Sequence, residues 1–208
     1  MDFLDAVFVV AVIVMSAVIH EVMHGVAAEQ LGDPTARLQG RITLNPISHL
    51  DPIGSVLLPI ILVLTNSPIL FGWAKPVPYN PYNLRPGRFS EAIVAGAGPL
   101  SNLAIAIIGG LIIRIGVFPA GMSDIVFIIV LINVMLFFFN LIPIPPLDGS
   151  KVLASILPPG LAVSYDRLRA YLEWNPFLGF GAVILFIVLA GGTFSGFVWT
   201  VARIIAGI

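Results

Sequence analysis

Five consecutive residues, His20-Glu21-Val22-Met23-His24, carry the densest chemistry in the chain. On a helix, positions i and i+4 share one face a turn apart, so the two imidazoles can hold one metal ion. Glu21 projects about 100° round the helix, where its carboxylate reaches a metal-bound water rather than the metal. The work then divides into two ligands and one general base, the chemistry of metal-assisted hydrolysis. The segment before it, Phe3 to Ile19, is apolar except for Asp5 and Ser16. Ionisable residues on a helix inside a membrane are costly and mark function.

Two histidines do not complete a catalytic zinc site, which has three protein ligands and an open fourth position. The remaining histidine, His49, lies in a polar stretch with Asp51. A loop hydrogen bond or helix cap accounts for it, with a second metal site as the alternative. Asp148 follows Asn140-Leu-Ile-Pro-Ile-Pro-Pro-Leu147 and precedes Gly149. Three prolines there predict a stiff, extended approach that could hold one carboxylate near a bundle interior. A helix cap at a short helix beginning near Ser150 is the competing role.

The elements that must position these groups follow from composition. Of 208 residues, 58% are hydrophobic and only 10% charged, and mean hydropathy is +1.03. A soluble domain needs roughly 25% charged residues, so a soluble protein is excluded, and disorder with it. A net charge of −1 gives no case for nucleic acid, and the absence of Cys removes disulfides and thiolate chemistry. The pattern predicts an all-α polytopic membrane protein, residues 1–208 as one domain. About four spanning helices are expected: Phe3 to about Leu31, Glu91–Ile113, Ile125–Leu141, and Phe177–Ile205 interrupted at Gly191-Gly192. The first lacks a signal-peptide cleavage site and reads as a retained helix. Ile53–Leu70, broken by Pro59, is apolar but re-entrant or broken, and Pro143–Asn175 is mixed with a short helix after Ser150.

His20-Glu21-x-x-His24, Gly98-Pro99-x-x-Asn102 and Asn140-x-x-Pro143-x-Pro145-Pro146-Leu147-Asp148-Gly149 resemble, in order and spacing, the site-2 protease family of intramembrane zinc metalloproteases. Gly40-Arg41-Ile-Thr-Leu-Asn45-Pro46 and Gly72-Trp73-Ala-Lys75-Pro76-Val-Pro78 look like loops of its short prokaryotic members. The resemblance runs to about Val152. It implies one Zn²⁺ per chain held by His20, His24 and Asp148, Glu21 as catalytic base, and a transmembrane protein or peptide as substrate. Asn102 and Asn140 fall on the family's polar positions, where substrate binding or transition-state support is implied. No PDZ domain, CBS domain or preceding helix is expected. A zinc transporter or a non-catalytic scaffold would use the same ligands, but mid-span polar residues and internal repeats expected of a transporter are not evident, and a scaffold would not need Glu21.

Parity gives the topology. His24 and Asp148 each lie at or past the C-terminal end of a span, and one metal requires an odd number of crossings between those spans. Glu91–Ile113 is one, so Ile53–Leu70 is expected not to cross. Arg37, Arg41, Lys75, Arg85, Arg88, Lys151, Arg167 and Arg169 then share one side, with Arg114 and Arg203 on the other. That asymmetry marks the first side as cytoplasmic in a multi-pass cell-membrane protein, with the site toward it. Gly96-Ala97-Gly98 reads as helix packing, and a buried Asn102 as interhelical bonding or substrate binding. Trp73, Tyr79 and Tyr82 read as interfacial anchors. Lys151, Arg167 and Arg169 read as topology signals or contacts to anionic lipid.

Overall fold

The computed structural model describes residues 3–57, 61, 64, 75–116 and 121–208. Its helices are α1 (Phe3–Gln30), α2 (Thr35–Leu38), α3 (Ser90–Ile115), α4 (Met122–Asn140), α5 (Asp148–Ile156), α6 (Pro159–Trp174) and α7 (Pro176–Ala206), and the described residues form no strand. Four stretches, Leu4–Gln30, Ser90–Ile115, Met122–Asn140 and Phe177–Ala206, are long and apolar enough to cross a membrane. The protein is an all-α membrane protein. Hydrocarbon offers no competing hydrogen-bond partner, so each spanning backbone closes its bonds within itself. The same pressure carries α7 unbroken through Gly191-Gly192, where the sequence predicted an interruption.

Helix α3 is the central element and packs against α1, α4, α5 and α7. Its small residues permit this. A Cβ on Gly110 would lie 2.6 Å from the Ile205 carbonyl oxygen of α7, and one on Gly109 2.9 Å from Val130 of α4. Ala106, Val130, Val134, Val198 and Ala202 fill the contact between α3, α4 and α7. Leu100, Ile107, Leu185 and Leu189 point outward, as apolar side chains do when the surroundings are lipid and helix association rests on close packing.

The two ends of the bundle are unlike. At one, Arg114 closes α3 by donating to the Ile204 and Ile205 carbonyls of α7, through Nη2 and through Nε at 2.9 Å. At the other, the C-terminal end of α1 meets the N-terminal end of α3, and the turn after α4 returns to them. Loops at this second end are fastened by polar contacts. Arg85 N–H donates to the Leu31 carbonyl at 2.7 Å, Lys75 N–H to the His49 carbonyl at 2.8 Å, and Arg41 Nη2 to the carbonyls of Lys75 and Pro76. Asp33, fully buried, accepts from Thr35, from Asn80 N–H at 2.6 Å and from Asn83 at 2.9 Å. Burial alone would raise its carboxyl, but those donors outweigh it and hold it below the ordinary carboxylate range.

Most of Ile53–Leu70 lies outside the described residues, apart from a π-helical turn at Pro52–Leu57. Pro143–Asn175 contains more helix than the sequence suggested, because α6 adds 16 residues after α5. The proline-rich approach to Asp148 is a compact double turn rather than an extended arm. Ile144 N–H donates to the Ile142 carbonyl at 2.8 Å and Leu147 N–H to the Ile144 carbonyl at 2.9 Å, and the Pro145–Pro146 peptide is cis.

Candidate active site

Both histidines of α1 are buried and face α3 and the start of α5. Their Nδ1 atoms are engaged behind them. His24 Nδ1 lies 2.7 Å from the Val94 carbonyl, which can only accept, so that nitrogen carries the proton. His20 Nδ1 lies 2.6 Å from Asn102 Oδ1. The amide cannot turn its nitrogen there, because Asn102 Nδ2 donates to Asn133 Oδ1 at 2.9 Å and to the Ser16 carbonyl. Asn133 Nδ2 is in turn committed to Ser16 Oγ at 3.0 Å and the Ile129 carbonyl at 2.9 Å. In its neutral form each imidazole therefore presents an unprotonated Nε2 forward. Acceptors that fix the tautomer of a ligating histidine are a regular feature of metal sites.

The two Nε2 atoms converge on one oxygen. Asp148 Oδ2 stands 3.1 Å from His20 Nε2 and 3.3 Å from His24 Nε2. Two ligands of a tetrahedral zinc, each about 2.1 Å from the metal, are themselves about 3.4 Å apart. The ligand atoms offered by His20, Glu21 and His24 all lie within 4.8 Å of one another. Gly98 adds a cradle: a Cβ there would come within 2.5 Å of both Nε2 atoms. Two neutral imidazoles, a carboxylate and this side-chain-free face fit a zinc ion.

Asp148 reaches this point because Gly149 lets α5 start against the preceding turn. A Cβ on Gly149 would fall 2.2 Å from the Leu141 carbonyl oxygen. Helix α5 begins at Asp148 itself, with Leu147 in the capping position and no side-chain cap. Glu21 Oε2 accepts from Val77 N–H at 2.8 Å. Val77 is the one donor of the Pro76-Val77-Pro78 stretch, since proline has no N–H. Its side chain packs over Gly25, where an added Cβ would lie 2.9 Å from Val77 Cγ1.

A cavity of about 210 Å³ opens on these groups, lined by His20, Glu21, His24, Asp148, Asn140 and Lys151 together with Pro76, Val77, Tyr79, Pro146 and Leu147. Asn140 is on its wall, with Nδ2 donating to the Leu136 carbonyl. Asn102 is not: it is fully buried behind His20, which places it as a support for that ring. His49 does not line the cavity, and its Nε2 lies 2.8 Å from the Thr43 carbonyl, the loop bond its position suggested.

Sequence reasoning missed Ser16, Val94 and Asn133 behind the imidazoles, and Tyr79 and Lys151 on the cavity wall. Asn133 carried a signal, an amide within an apolar span, where an unpartnered polar group is costly. Tyr79 and Lys151 carried none, because loop tyrosines and basic residues near a membrane have ordinary anchoring roles.

Comparison with known proteins agrees with this geometry. Residues 111–164 match the model of "Peptidase family M50", a window that contains Asn140 and Asp148. The chain is 37% identical over 173 residues to "Putative zinc metalloprotease YwhC" of Bacillus subtilis, covering 79% of this chain and 75% of that protein. It is 30% identical over 159 residues to "Putative zinc metalloprotease Rip2" of Mycolicibacterium smegmatis, covering 74% of this chain and 58% of that protein. The protein of the same name from Mycobacterium tuberculosis is 29% identical over 196 residues, 91% of this chain and 69% of its own. No solved structure matches. Four membrane-length helices, a buried histidine pair with its glutamate, and relatives of this extent together make the chain a member of peptidase family M50, the site-2 proteases, and so a membrane metalloprotease by family.

Proposed function

We propose that this chain is an intramembrane zinc endopeptidase that hydrolyses peptide bonds in or near transmembrane segments of membrane-protein substrates, residues 1–208 acting as one domain. The observation that carries the reading is the approach of His20 Nε2 and His24 Nε2 to a single Asp148 oxygen, beside Glu21, inside a membrane-length bundle. His20, His24 and Asp148 would hold the zinc. Zinc bound there supplies Lewis acidity, which polarises a carbonyl and brings a water's pKa toward neutrality.

The chain's own groups perform the remaining work. Glu21 accepts the proton of the attacking water and returns it to the leaving amine as the C–N bond breaks. The Val77 N–H orients that carboxylate, leaving its other oxygen for the water. Asn140 stands where it can hydrogen-bond the substrate backbone. A helical substrate has every carbonyl engaged, so it must unwind to be cut. The Gly72–Ser90 loop and the Ile53–Leu70 segment are the candidates for presenting a backbone edge to the extended chain. The charge asymmetry supports a cytoplasmic location for the loop end of the bundle, with the site toward that side.

Glu21→Gln tests the assignment. The variant should bind zinc as the parent does and lose cleavage of a transmembrane peptide in detergent by a thousandfold or more, on the order expected for removing a general base from a hydrolytic site. Near-parental cleavage by Glu21→Gln would rule out Glu21 as the base. Absence of zinc-dependent cleavage in the parent, across several transmembrane peptides, would remove the protease reading.

A further inference from the structure

Lys151 is the charged cavity residue to which the hydrolysis proposed above gives no part. It lies one helical turn after Asp148 on α5, so the two project on the same face. Its ammonium sits against Tyr79, 5.1 Å from the ring centroid. Among the described residues no carboxylate forms an ion pair with it. A lysine is an ammonium near neutral pH, and the neighbouring Asp148 and Glu173 charges favour that form. A charge partly withdrawn from water without a paired counter-ion is costly, and proteins retain one where it meets charge that arises elsewhere.

The charge count of the cavity says what that is. With neutral imidazoles and a divalent ion, the carboxylates of Glu21 and Asp148 balance the metal, and Lys151 leaves one positive charge in excess. When the water oxygen bonds to the scissile carbonyl carbon, its proton passes to Glu21 and the carbonyl π electrons move onto oxygen. One negative charge thus appears on the substrate, and it disappears when the carbonyl re-forms, the C–N bond breaks and the amine takes the proton. We propose that Lys151 is a catalytic residue whose ammonium stabilises this oxyanion, with Tyr79 as the positioning residue that holds the ammonium at the cavity wall. The inference rests on the protease reading. Preorganised positive charge acts where charge develops rather than on the ground state.

The test compares a peptide substrate with a phosphinate of the same sequence, whose tetrahedral anion replaces the scissile amide. Lys151→Met should keep parental zinc content and a KM within about threefold. It should lose kcat and phosphinate affinity together, on the order of 100-fold each. Lys151→Arg, which keeps the charge, should lose less than a third as much on a logarithmic scale, and stands in if the methionine variant does not fold. Equal weakening of substrate and phosphinate would make Lys151 a substrate anchor, and no change in either would make it structural; both overturn the proposal. A parent that binds neither zinc nor the phosphinate would instead refute the protease reading.

Discussion

Gly98 of α3 faces His20 of α1 with nothing but a hydrogen: a Cβ at that position would lie 2.5 Å from His20 Nε2 and as close to His24 Nε2. A methyl at that distance from both nitrogens would crowd a zinc ligated by them, about 2.1 Å from each. If the two histidines hold zinc as proposed, the glycine keeps the ion's place open as well as letting two helices approach.

Gly98→Ala should accordingly lower zinc occupancy severely while the protein remains folded. Gly96→Ala, two residues earlier, meets nothing within 4 Å and should keep full zinc. In a helix interior alanine is otherwise the better residue by about 1 kcal/mol, so helix propensity predicts no harm from either change. Zinc per chain by elemental analysis separates them.

The chain of amides behind His20 makes a second prediction. Asn133→Leu removes one of the two acceptors that hold the Asn102 amide and strands Ser16 Oγ. It should weaken zinc binding by about 10- to 100-fold, the range seen when partners of metal ligands are removed, measured by competition with a chelator. Asn140→Ala, on the cavity wall, should leave zinc affinity unchanged and lower turnover. A zinc affinity for Asn133→Leu equal to the parent's would mean that the network only joins helices.

Topology can be read with single cysteines, since the chain has none. Gln39 and Tyr82 are exposed on the loops that flank α1 and α3, and Met122 is exposed at the start of α4. An impermeant thiol reagent should label Gln39→Cys and Tyr82→Cys from the same face, and Met122→Cys from the other. The Lys75 to His49 hydrogen bond, which joins the chain on either side of Ile53–Leu70, requires the first pair to agree. Labelling of Gln39→Cys and Tyr82→Cys from opposite faces would refute the proposed arrangement.

Much of the site was legible because its chemistry is local in sequence. His20, Glu21 and His24 declare themselves by helical spacing alone, and the four spans by their apolar length. Asp148 needed the family motif, since a lone aspartate at the start of a helix also reads as a cap. The supporting residues were hidden for a physical reason. Val94 acts through its carbonyl, which every residue possesses. Gly98 acts through the absence of a side chain, which packing explains equally well. Lys151 and Tyr79 acquire their positions only when α5 and the Pro76–Tyr79 stretch meet across the cavity. The double turn before Asp148 departed from the expected extended arm because short backbone hydrogen bonds from Ile144 and Leu147 fold it up.

One zinc ion is expected to be held by His20, His24 and Asp148 and by no other side chain. The most direct test is zinc bound per chain, measured side by side in the parent and in His20→Ala, His24→Ala, Asp148→Ala, Glu21→Gln and His49→Ala. One zinc should remain in the parent, in Glu21→Gln and in His49→Ala, and occupancy should fall in the other three. Retention by Asp148→Ala together with loss from His49→Ala would contradict the account.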